Sequence, residues 1–407
     1  MQQPALSSQR IITVDALRGI ALLGILFAHF IYWYSGAALP NTVYEKYADT
    51  GSIIVSIFNN IFIFGKFFTF FSFLFGLSFY LQMQSLQKKE KSFVFRYFWR
   101  LVLLGVIGLV HHALWRGDIL SIYVPLGFIL LLVRKINNRF LIIVSVLLIL
   151  NVPARLIEAV TFFSSKSSAG MTPPAINDEA QRYYDVIKSG SFSDLINDNW
   201  KALYSKFSFQ FQSGRIYITL GFFMLGMYTG RKRWFENPGE AKPIIKRICR
   251  YSGWISLAII LFSIGLFALN TALKMGIDAN PYIQYLFSFL YDTVNTGLTL
   301  FYLSGLTLLM YKIRWQQLLF PFASVGKMAI TVYLSQTFFG LLLFYNIGFG
   351  LFEKTAPWVN IILALLVFIV QIFMCRFWLN YFIYGPVEWL WRSLTFFKWY
   401  PMKKGAA

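Results

Sequence analysis

The stretch VDALRGIALLGILFAHF, residues 14–30, has the length of a membrane-crossing helix but carries three ionisable side chains, Asp15, Arg18 and His29. A helix needs about 20 mostly apolar residues to cross roughly 30 Å of hydrocarbon. Ionisable groups inside such a segment are costly and usually serve a function. The stretch therefore bears on both the fold class and the search for a site.

The composition predicts an all-α, polytopic membrane protein. Hydrophobic residues make up 57% of the chain, charged residues only 13%, and the mean hydropathy is +0.58, whereas soluble domains are about 25% charged. No polar stretch is long enough for a separate soluble domain. We predict one membrane domain over 1–407, with a transmembrane bundle at 11–384, an outer loop at 163–209 and an amphipathic interfacial tail at 385–407.

Apolar runs of spanning length recur along the chain and predict about ten transmembrane helices. The first run is too long for a cleaved signal peptide and contains Asp15 and Arg18. The predicted spans are 11–33, 58–83, 94–114, 118–134, 140–162, 210–230, 252–273, 284–311, 321–349 and 357–381.

Basic residues give the predicted orientation. The net charge is +20, and with ten spans the basic segments all fall on one side. By the positive-inside rule that side is cytoplasmic, which places both termini in the cytoplasm. The charge is thereby explained without a nucleic-acid partner. The segments are Arg10, 88–100, 134–139, 231–250, 312–314 and 392–404.

Three features outside the spans or at their ends carry further information. The loop 163–209 has helix-like apolar spacing at Tyr184, Ile187 and Leu195, and forms either a lid or a plain surface segment. The tail begins a short helix at Pro386, where Glu388 and Arg392 are spaced to pair. The two cysteines, Cys249 and Cys375, indicate neither a disulfide framework nor a zinc site.

The ionisable residues of the first span lie at two depths. Asp15 and Arg18 are three residues apart near the cytoplasmic end and share a face, which also suits a simple orienting salt bridge. His29 lies roughly 16 Å further along the helix axis, on nearly the same face. It is either a functional imidazole or a hydrogen-bonded packing residue.

The other two histidines lie in GLVHHALWRGDIL, at the outer end of the third span. His111 and His112 point about 100° apart on a helix, so at most one faces the centre easily. Asp118 follows in a tight turn and can orient an imidazole. The alternative is a polar turn in the headgroup region.

Three lysine and arginine residues lie near span ends, where snorkelling to the interface is one interpretation. They are Lys66, Arg215 and Lys327. Three histidines and few buried carboxylates predict no metal site, and a bis-histidine haem is the weaker alternative. Phosphate-loop and dinucleotide glycine motifs are missing from the sequence.

Five motifs in order resemble the YeiB family of bacterial inner-membrane proteins, which carry a C-terminal domain of unknown function. The resemblance runs from the first span to residue 395. The motifs are VDALRGIALLGI, GKFFTFFSFLFG, GLVHHALWRGDIL, VGKMAITVYLSQT and GPVEWLWRSLT.

The YeiB family is grouped with a transmembrane acyltransferase superfamily, so the resemblance implies transfer of an acyl group from cytoplasmic acyl-CoA, such as acetyl-CoA, to an acceptor across the membrane or in the cell envelope. The Arg18-to-His29 spacing is similar to the Arg and His of the acyltransferase-three motif. YeiB-like sequences are expected to have Asn at position 29, so His29 is a departure toward the acyltransferase pattern.

We therefore expect an acyltransferase in which a histidine is the general base on an acceptor hydroxyl or amine. His29 is the first candidate base, and His111 or His112, oriented by Asp118, is the second. The expected donor-binding residues are Arg18, with Asp15 beside it, and Lys327.

The expected partners are membrane lipids, acyl-CoA and an unidentified acceptor; the oligomeric state is open, a homo-oligomer included. The alternatives are a small-solute transporter or exporter and a non-catalytic membrane partner or sensor.

Overall fold

A computed structural model of the chain describes residues 6–87, 93–164, 174–274, 276 and 280–405. The side chains of 6–11, 86–87, 162–164, 174–177 and 281 lie outside that description. The predicted basic residue Arg10, the first part of the basic segment 88–100 and part of the outer loop 163–209 therefore fall outside it.

The described chain folds almost entirely into α-helices. A π-helical turn (Asn59–Ile63) precedes α4, and a 3₁₀ turn (Val133–Lys135) follows α6. The helices are α1 (Leu6–Phe30), α2 (Asn41–Glu45), α3 (Thr50–Phe58), α4 (Phe67–Gln87), α5 (Phe93–Leu114), α6 (Leu120–Leu132), α7 (Asn138–Ile149), α8 (Val152–Ser164), α9 (Pro174–Ser189), α10 (Phe192–Lys201), α11 (Leu203–Gln212), α12 (Arg215–Arg231), α13 (Pro238–Leu273), α14 (Pro281–Leu309), α15 (Ile313–Lys327), α16 (Ala329–Phe344), α17 (Pro357–Tyr381) and α18 (Pro386–Phe396).

Five segments of the described chain are long and apolar enough to cross a membrane, or up to seven if two bent helix pairs each count as one span. The pair α7–α8 bends by 49° and the pair α14–α15 by 116°. The all-helical, multi-pass architecture predicted from the sequence is confirmed. The five segments are Ile12–Phe30, Thr50–Ser85, Phe93–Leu114, Pro238–Leu273 and Pro357–Tyr381.

The ninth predicted span, 321–349, is not one continuous helix. It breaks at Met328, between α15 and α16. Amides that open a helix have no partner within it; here Glu388 of α18 accepts hydrogen bonds from the backbone N–H of Ile330 (2.6 Å) and of Thr331 (3.1 Å). A carboxylate from the tail thus caps α16 and stabilises the break.

Close helix crossings place α1 and α4 at the centre of the bundle. A Cβ built on Gly19 would lie 2.1 Å from the carbonyl oxygen of Phe322 in α15, and one on Gly76 would lie 1.9 Å from that of Phe223 in α12. Membrane helices associate through such small-residue contacts because lipid provides little hydrophobic driving force. By contrast, most large side chains of α13 face outward, and this helix packs chiefly along α14.

The described part of the predicted outer loop, together with α11, folds back onto the bundle. Ser191 and Asp194 form a capping box at the start of α10, which packs against α5. Ile187 and Leu195, two of the residues with helix-like spacing, are buried in the same apolar cluster as Trp33 and Trp115. The described part of this segment is therefore a docked helical cap, α9–α11.

The glycine contacts make a stability prediction. An alanine at Gly326 would put its Cβ 1.8 Å from the carbonyl oxygen of Asp15, so the α1–α15 contact has to open. We expect Gly326→Ala to destabilise the protein by about 1–3 kcal/mol, measured as a lower unfolding temperature in detergent by tryptophan fluorescence.

The matched control is Gly265→Ala. Gly265 also lies inside a long helix, but its added Cβ meets no atom within 4 Å. The control should unfold at the wild-type temperature or slightly above it, because alanine favours helix. Equal unfolding temperatures for the two variants would contradict the proposed close contact.

Candidate functional site

Functional side chains concentrate at the two ends of the bundle. We call the end that holds Arg18, Arg100 and Lys327 the basic end, and the end that holds His29 and His111 the histidine end. A cavity begins at the first and extends toward the second, as described next.

The inner cavity, the space among α1, α4, α5 and α16, has a volume of about 200 Å³ and is partly open to the surface. Arg18, Arg100 and Lys327 line it at the basic end. From Arg18 to Ile25 it follows α1 for about 10 Å. Its walls are mainly apolar and aromatic, with Leu22, Phe71, Leu74, Phe75, Leu101 and Leu104 among them.

The cations at the cavity mouth are only partly neutralised. Arg18 donates to Asp15 (2.6 Å) and to the Ser78 hydroxyl (2.6 Å), so the predicted pair is formed. Arg100 instead stacks its guanidinium 3.5 Å from the centre of the Trp391 ring. Lys327 is exposed, and no hydrogen bond or ion pair joins it to the described chain. The mouth is suited to an anionic group.

Glu388 also lines this mouth, but its oxygens are occupied. Besides capping α16, its Oε2 accepts from the Thr331 hydroxyl at 2.6 Å. Burial raises the pKa of the Glu388 carboxyl, and the hydrogen bonds from Thr331 oppose that rise. The pairing with Arg392 suggested by their spacing is replaced: Arg392 lies over the rings of Tyr384 and Tyr400.

The deep end of the cavity reaches the neighbourhood of His111. Tyr333 and Ile119 line the cavity there, and the Tyr333 hydroxyl accepts from the backbone N–H of Ile119 (3.1 Å). The Tyr333 ring lies edge-on to the His111 ring, with 5.0 Å between centroids. One aromatic side chain therefore separates the inner cavity from a buried imidazole.

His111 is held between a carboxylate and a hydroxyl. Its Nδ1 lies 2.8 Å from Asp118 Oδ1, and its Nε2 lies 2.7 Å from the Thr337 hydroxyl oxygen. The carboxylate accepts two backbone N–H bonds, from Leu120 (3.0 Å) and Ser121 (2.8 Å). A carboxylate used as acceptor requires the proton of His111 on Nδ1, which leaves Nε2 as a basic nitrogen.

His112 points to the cap and has the opposite tautomer. Its Nε2 donates to the Asn199 carbonyl (2.8 Å), and its Nδ1 accepts from Lys206 (3.2 Å). Lys206 also donates to the Ser121 hydroxyl (2.8 Å) and lies 3.5 Å from Asp118. Burial lowers the pKa of the Lys206 ammonium, and Asp118 opposes that shift. Both ring nitrogens of His112 are thus used to attach the cap to α5.

His29 lies next to this cluster without joining its hydrogen bonds. Its ring packs edge-on against Trp115 (4.7 Å between centroids) and Tyr34 (5.6 Å). The imidazole is half-buried, and no hydrogen bond connects it to any residue that the structure describes. Distances within the described chain therefore give a carboxylate partner to His111 and none to His29.

Arg116 fastens the cap over the histidine end. Its guanidinium stacks 3.4 Å from the centre of the Tyr183 ring and forms ion pairs with Asp198 and with Glu179 (3.3 Å). The Tyr183 hydroxyl donates to the Ser35 carbonyl (2.6 Å). Stacking and charge together hold α9 and α10 against the α5–α6 turn.

The side chains of Lys66 and Arg215 contact protein groups instead of extending toward the membrane surface. Lys66 is 1% exposed and donates to the carbonyls of Asn60 (2.7 Å) and Phe64 (2.8 Å), which the π-turn presents. Arg215 lies over the Phe68 ring at 4.3 Å. Both side chains bind inside the protein, so snorkelling does not explain either position.

A second opening lies on the side of the bundle, between α5 and α16. This lateral groove has a volume of about 560 Å³, and its lining is almost wholly apolar. His111 and Thr337 line it, and it extends to Val387 and Leu390 of the tail helix. The two residues are thus placed between the inner cavity and the groove.

Four residues of this arrangement were not singled out in the sequence: Tyr34, Arg100, Tyr333 and Thr337. The available signal was weak. Tyr333 and Thr337 are four residues apart in VYLSQT and share a helix face, but the histidine they contact lies more than 200 residues earlier. No group of three or more potential metal ligands occurs among the described residues.

The helices and the internal cavity define the class: a multi-pass helical membrane protein with buried titratable groups. Comparison with known proteins gives the family. The chain is 31% identical to an uncharacterized protein, YxaH, of Bacillus subtilis (strain 168), over 99% of this chain and 98% of the relative. It is 29% identical to an uncharacterized protein, YeiB, of Escherichia coli (strain K12), over 95% and 96%.

A further similarity, 25% identity over 98% of this chain and 97% of the relative, is to an uncharacterized 39.9 kDa protein in the amylase 3' region of Bacillus acidopullulyticus. Residues 229–398 match the profile of a protein family of unknown function, DUF418. The chain belongs to this YxaH and YeiB family, as its motifs indicated. No solved structure matches it significantly.

The Arg116 cluster predicts how firmly the cap is attached. Arg116→Met leaves Asp198 buried with only Arg182 as a partner, so docking of the cap should weaken by about 3 kcal/mol. Hydrogen exchange of the amides in 178–212 should accelerate accordingly. Lys188→Met removes one ion pair of an exposed lysine, and its partner Glu353 keeps Lys46, so exchange should change little. Equal acceleration in both variants would contradict this account.

Proposed function

We propose that this protein is a membrane-embedded acyltransferase that takes its acyl group from acyl-CoA. The observation that supports this most is the inner cavity, which joins a cation-lined mouth to the surroundings of an Asp–His pair. A donor bound along it would place its anionic end at Arg18 and its acyl end near Tyr333.

The mouth has the chemistry of a phosphate site. Guanidinium groups bind phosphate oxygens through paired hydrogen bonds, and ammonium groups bind them as point charges. Arg18 is partly paired with Asp15, while Arg100 and Lys327 lack ion pairs in the described chain. The walls beyond are apolar, which suits the thin pantetheine arm and an acyl group rather than a second charge.

His111 is the base that the geometry favours. A positioned imidazole with a pKa near neutrality is an effective general base, and a carboxylate on the other nitrogen fixes its tautomer and stabilises the imidazolium that forms. Asp118 is in that position. His112 has both nitrogens engaged, and His29 lacks an orienting acid among the described residues.

The proposal also requires a particular orientation of the bundle in the membrane. By the positive-inside rule the basic end faces the cytoplasm, where acyl-CoA is made. The histidine end then faces the opposite side, where an acceptor hydroxyl or amine of the envelope is reached. In bacteria of the kind in which the relatives occur, this is the cytoplasmic membrane.

Donor binding is tested at the mouth. Arg100→Gln and Lys327→Gln should each weaken binding of acetyl-CoA about tenfold, since each removes a charge-assisted contact of roughly 1.4 kcal/mol. Calorimetry on the purified protein in detergent measures this. Arg139→Gln is the control, because Arg139 is exposed and does not line the cavity.

Wild-type protein that binds no acyl-CoA and releases no CoA would refute the acyltransferase proposal. Flux of a small solute through liposomes by that same protein would then favour a transporter. Equal binding by all three variants would refute the assignment of the mouth.

The base is tested by three matched substitutions. His111→Asn should lower acyl transfer by about 100-fold or more while the protein still inserts and unfolds at a similar temperature. His29→Asn and His112→Asn should retain most of the rate, and His112→Asn should loosen the cap. Loss of transfer in His29→Asn with activity kept in His111→Asn would assign the base to His29.

A further inference from the structure

Thr337 has a position that packing alone does not explain. Its hydroxyl lies 2.7 Å from His111 Nε2 and 2.9 Å from the Tyr34 hydroxyl. Thr337 and His111 are nearly inaccessible, at 1% and 2% exposure, yet both line the lateral groove. A hydroxyl is thus held on the one basic nitrogen of an Asp–His pair.

The donors and acceptors of this chain of bonds can be assigned. Asp118 accepts from His111 Nδ1, so His111 Nε2 accepts, and the Thr337 hydroxyl is its donor. The proton of Thr337 is then used, so Tyr34 donates to the Thr337 oxygen. His111 Nε2 is therefore occupied by the hydrogen bond from Thr337, and a proton reaches it through that hydroxyl.

A hydroxyl hydrogen-bonded to an imidazole that is oriented by a carboxylate is the arrangement that activates serine, threonine and cysteine nucleophiles. We propose that Thr337 is the nucleophile of this protein and carries the acyl group as an ester between donor and acceptor. The inference rests on the proposed acyltransferase function and specifies its covalent route.

The two half-reactions balance without a further reactant. Thr337 Oγ attacks the thioester carbonyl, the C–S bond breaks, and the hydroxyl proton passes through His111 Nε2 to the departing sulfur, which leaves as the CoA thiol. In the second half, an acceptor hydroxyl or amine attacks the Thr337 ester. The C–O bond between the acyl group and Thr337 breaks as the acyl group bonds to the acceptor. The acceptor's proton passes through His111 to Thr337 Oγ, which restores the free threonine.

The site is within reach of the donor cavity. Thr337 is four residues after Tyr333 on α16, about 6 Å along the axis, and the Tyr333 ring contacts His111 from the cavity side. On the other side, buried Thr337 and His111 line the wall of the apolar groove. An acyl-threonine would thus lie between a space for the donor and a separate opening for the acceptor.

The experiment looks for the ester itself. Purified wild-type protein, Thr337→Val, Thr337→Ser and Ser335→Ala are each mixed with acetyl-, octanoyl- or palmitoyl-CoA, quenched in acid and weighed by intact mass spectrometry. CoA release is followed in parallel with a thiol reagent. Ser335 is the matched control, since its hydroxyl lies on the same helix but contacts Gln371 and not a histidine.

We expect wild type, Thr337→Ser and the control Ser335→Ala each to gain the mass of one acyl group. In all three proteins the added group should map to position 337. Thr337→Val, which keeps the side-chain shape, should gain none and lose CoA release by about 100-fold or more. His111→Asn should also fail to form the ester.

CoA release by Thr337→Val at the wild-type rate, with no ester on wild type, would overturn the nucleophile and leave the acyltransferase standing with direct transfer. An ester that maps to a residue other than 337 would overturn it as well. Wild-type protein that binds one of the donors but forms no ester and releases no CoA would overturn the nucleophile alone, because direct transfer waits for an acceptor. Wild-type protein that neither binds any of the three donors nor releases CoA would instead refute the proposed function, and the nucleophile with it.

Discussion

One buried carboxylate, that of Asp118, organises the histidine end of the bundle. It accepts backbone N–H bonds at the start of α6, a ring N–H bond from His111 of α5, and lies 3.5 Å from Lys206 of the cap. A buried charge is stable only when it is paired and hydrogen-bonded in this way. Two helices and the cap therefore meet at a fixed geometry, and the imidazole has a single tautomer.

Much of the fold was predictable because lipid imposes simple rules. Apolar runs had to be helices, and polar residues three apart in α1 had to share a face, which the Asp15–Arg18 pair confirms. The break at Met328 was missed because hydropathy is continuous across it. What stabilises the break is Glu388, a residue some 60 positions later in the sequence.

The site was predictable only where its contacts join residues that are close in the sequence. Asp118 follows His111 by seven residues, so a turn could bring them together. Thr337 meets that imidazole and Tyr34 meets Thr337, both from remote positions in the sequence. No periodicity in one sequence reports such contacts. Lys66 shows the same difficulty: its two acceptors are carbonyls that become available only because a π-turn precedes α4.

The hydrogen bonds from α16 to Glu388 make the tail helix inseparable from the bundle. The helix that presents Tyr333 and Thr337 begins on a carboxylate from the tail, and the same tail helix lies on α5 through Trp391, which donates to the Arg100 carbonyl (3.0 Å). Deleting the chain after residue 385 would strip two amides of their acceptor in a place that water does not replace easily. The tail helix α18 is thus a structural component of the bundle, because both α16 and α5 depend on its side chains.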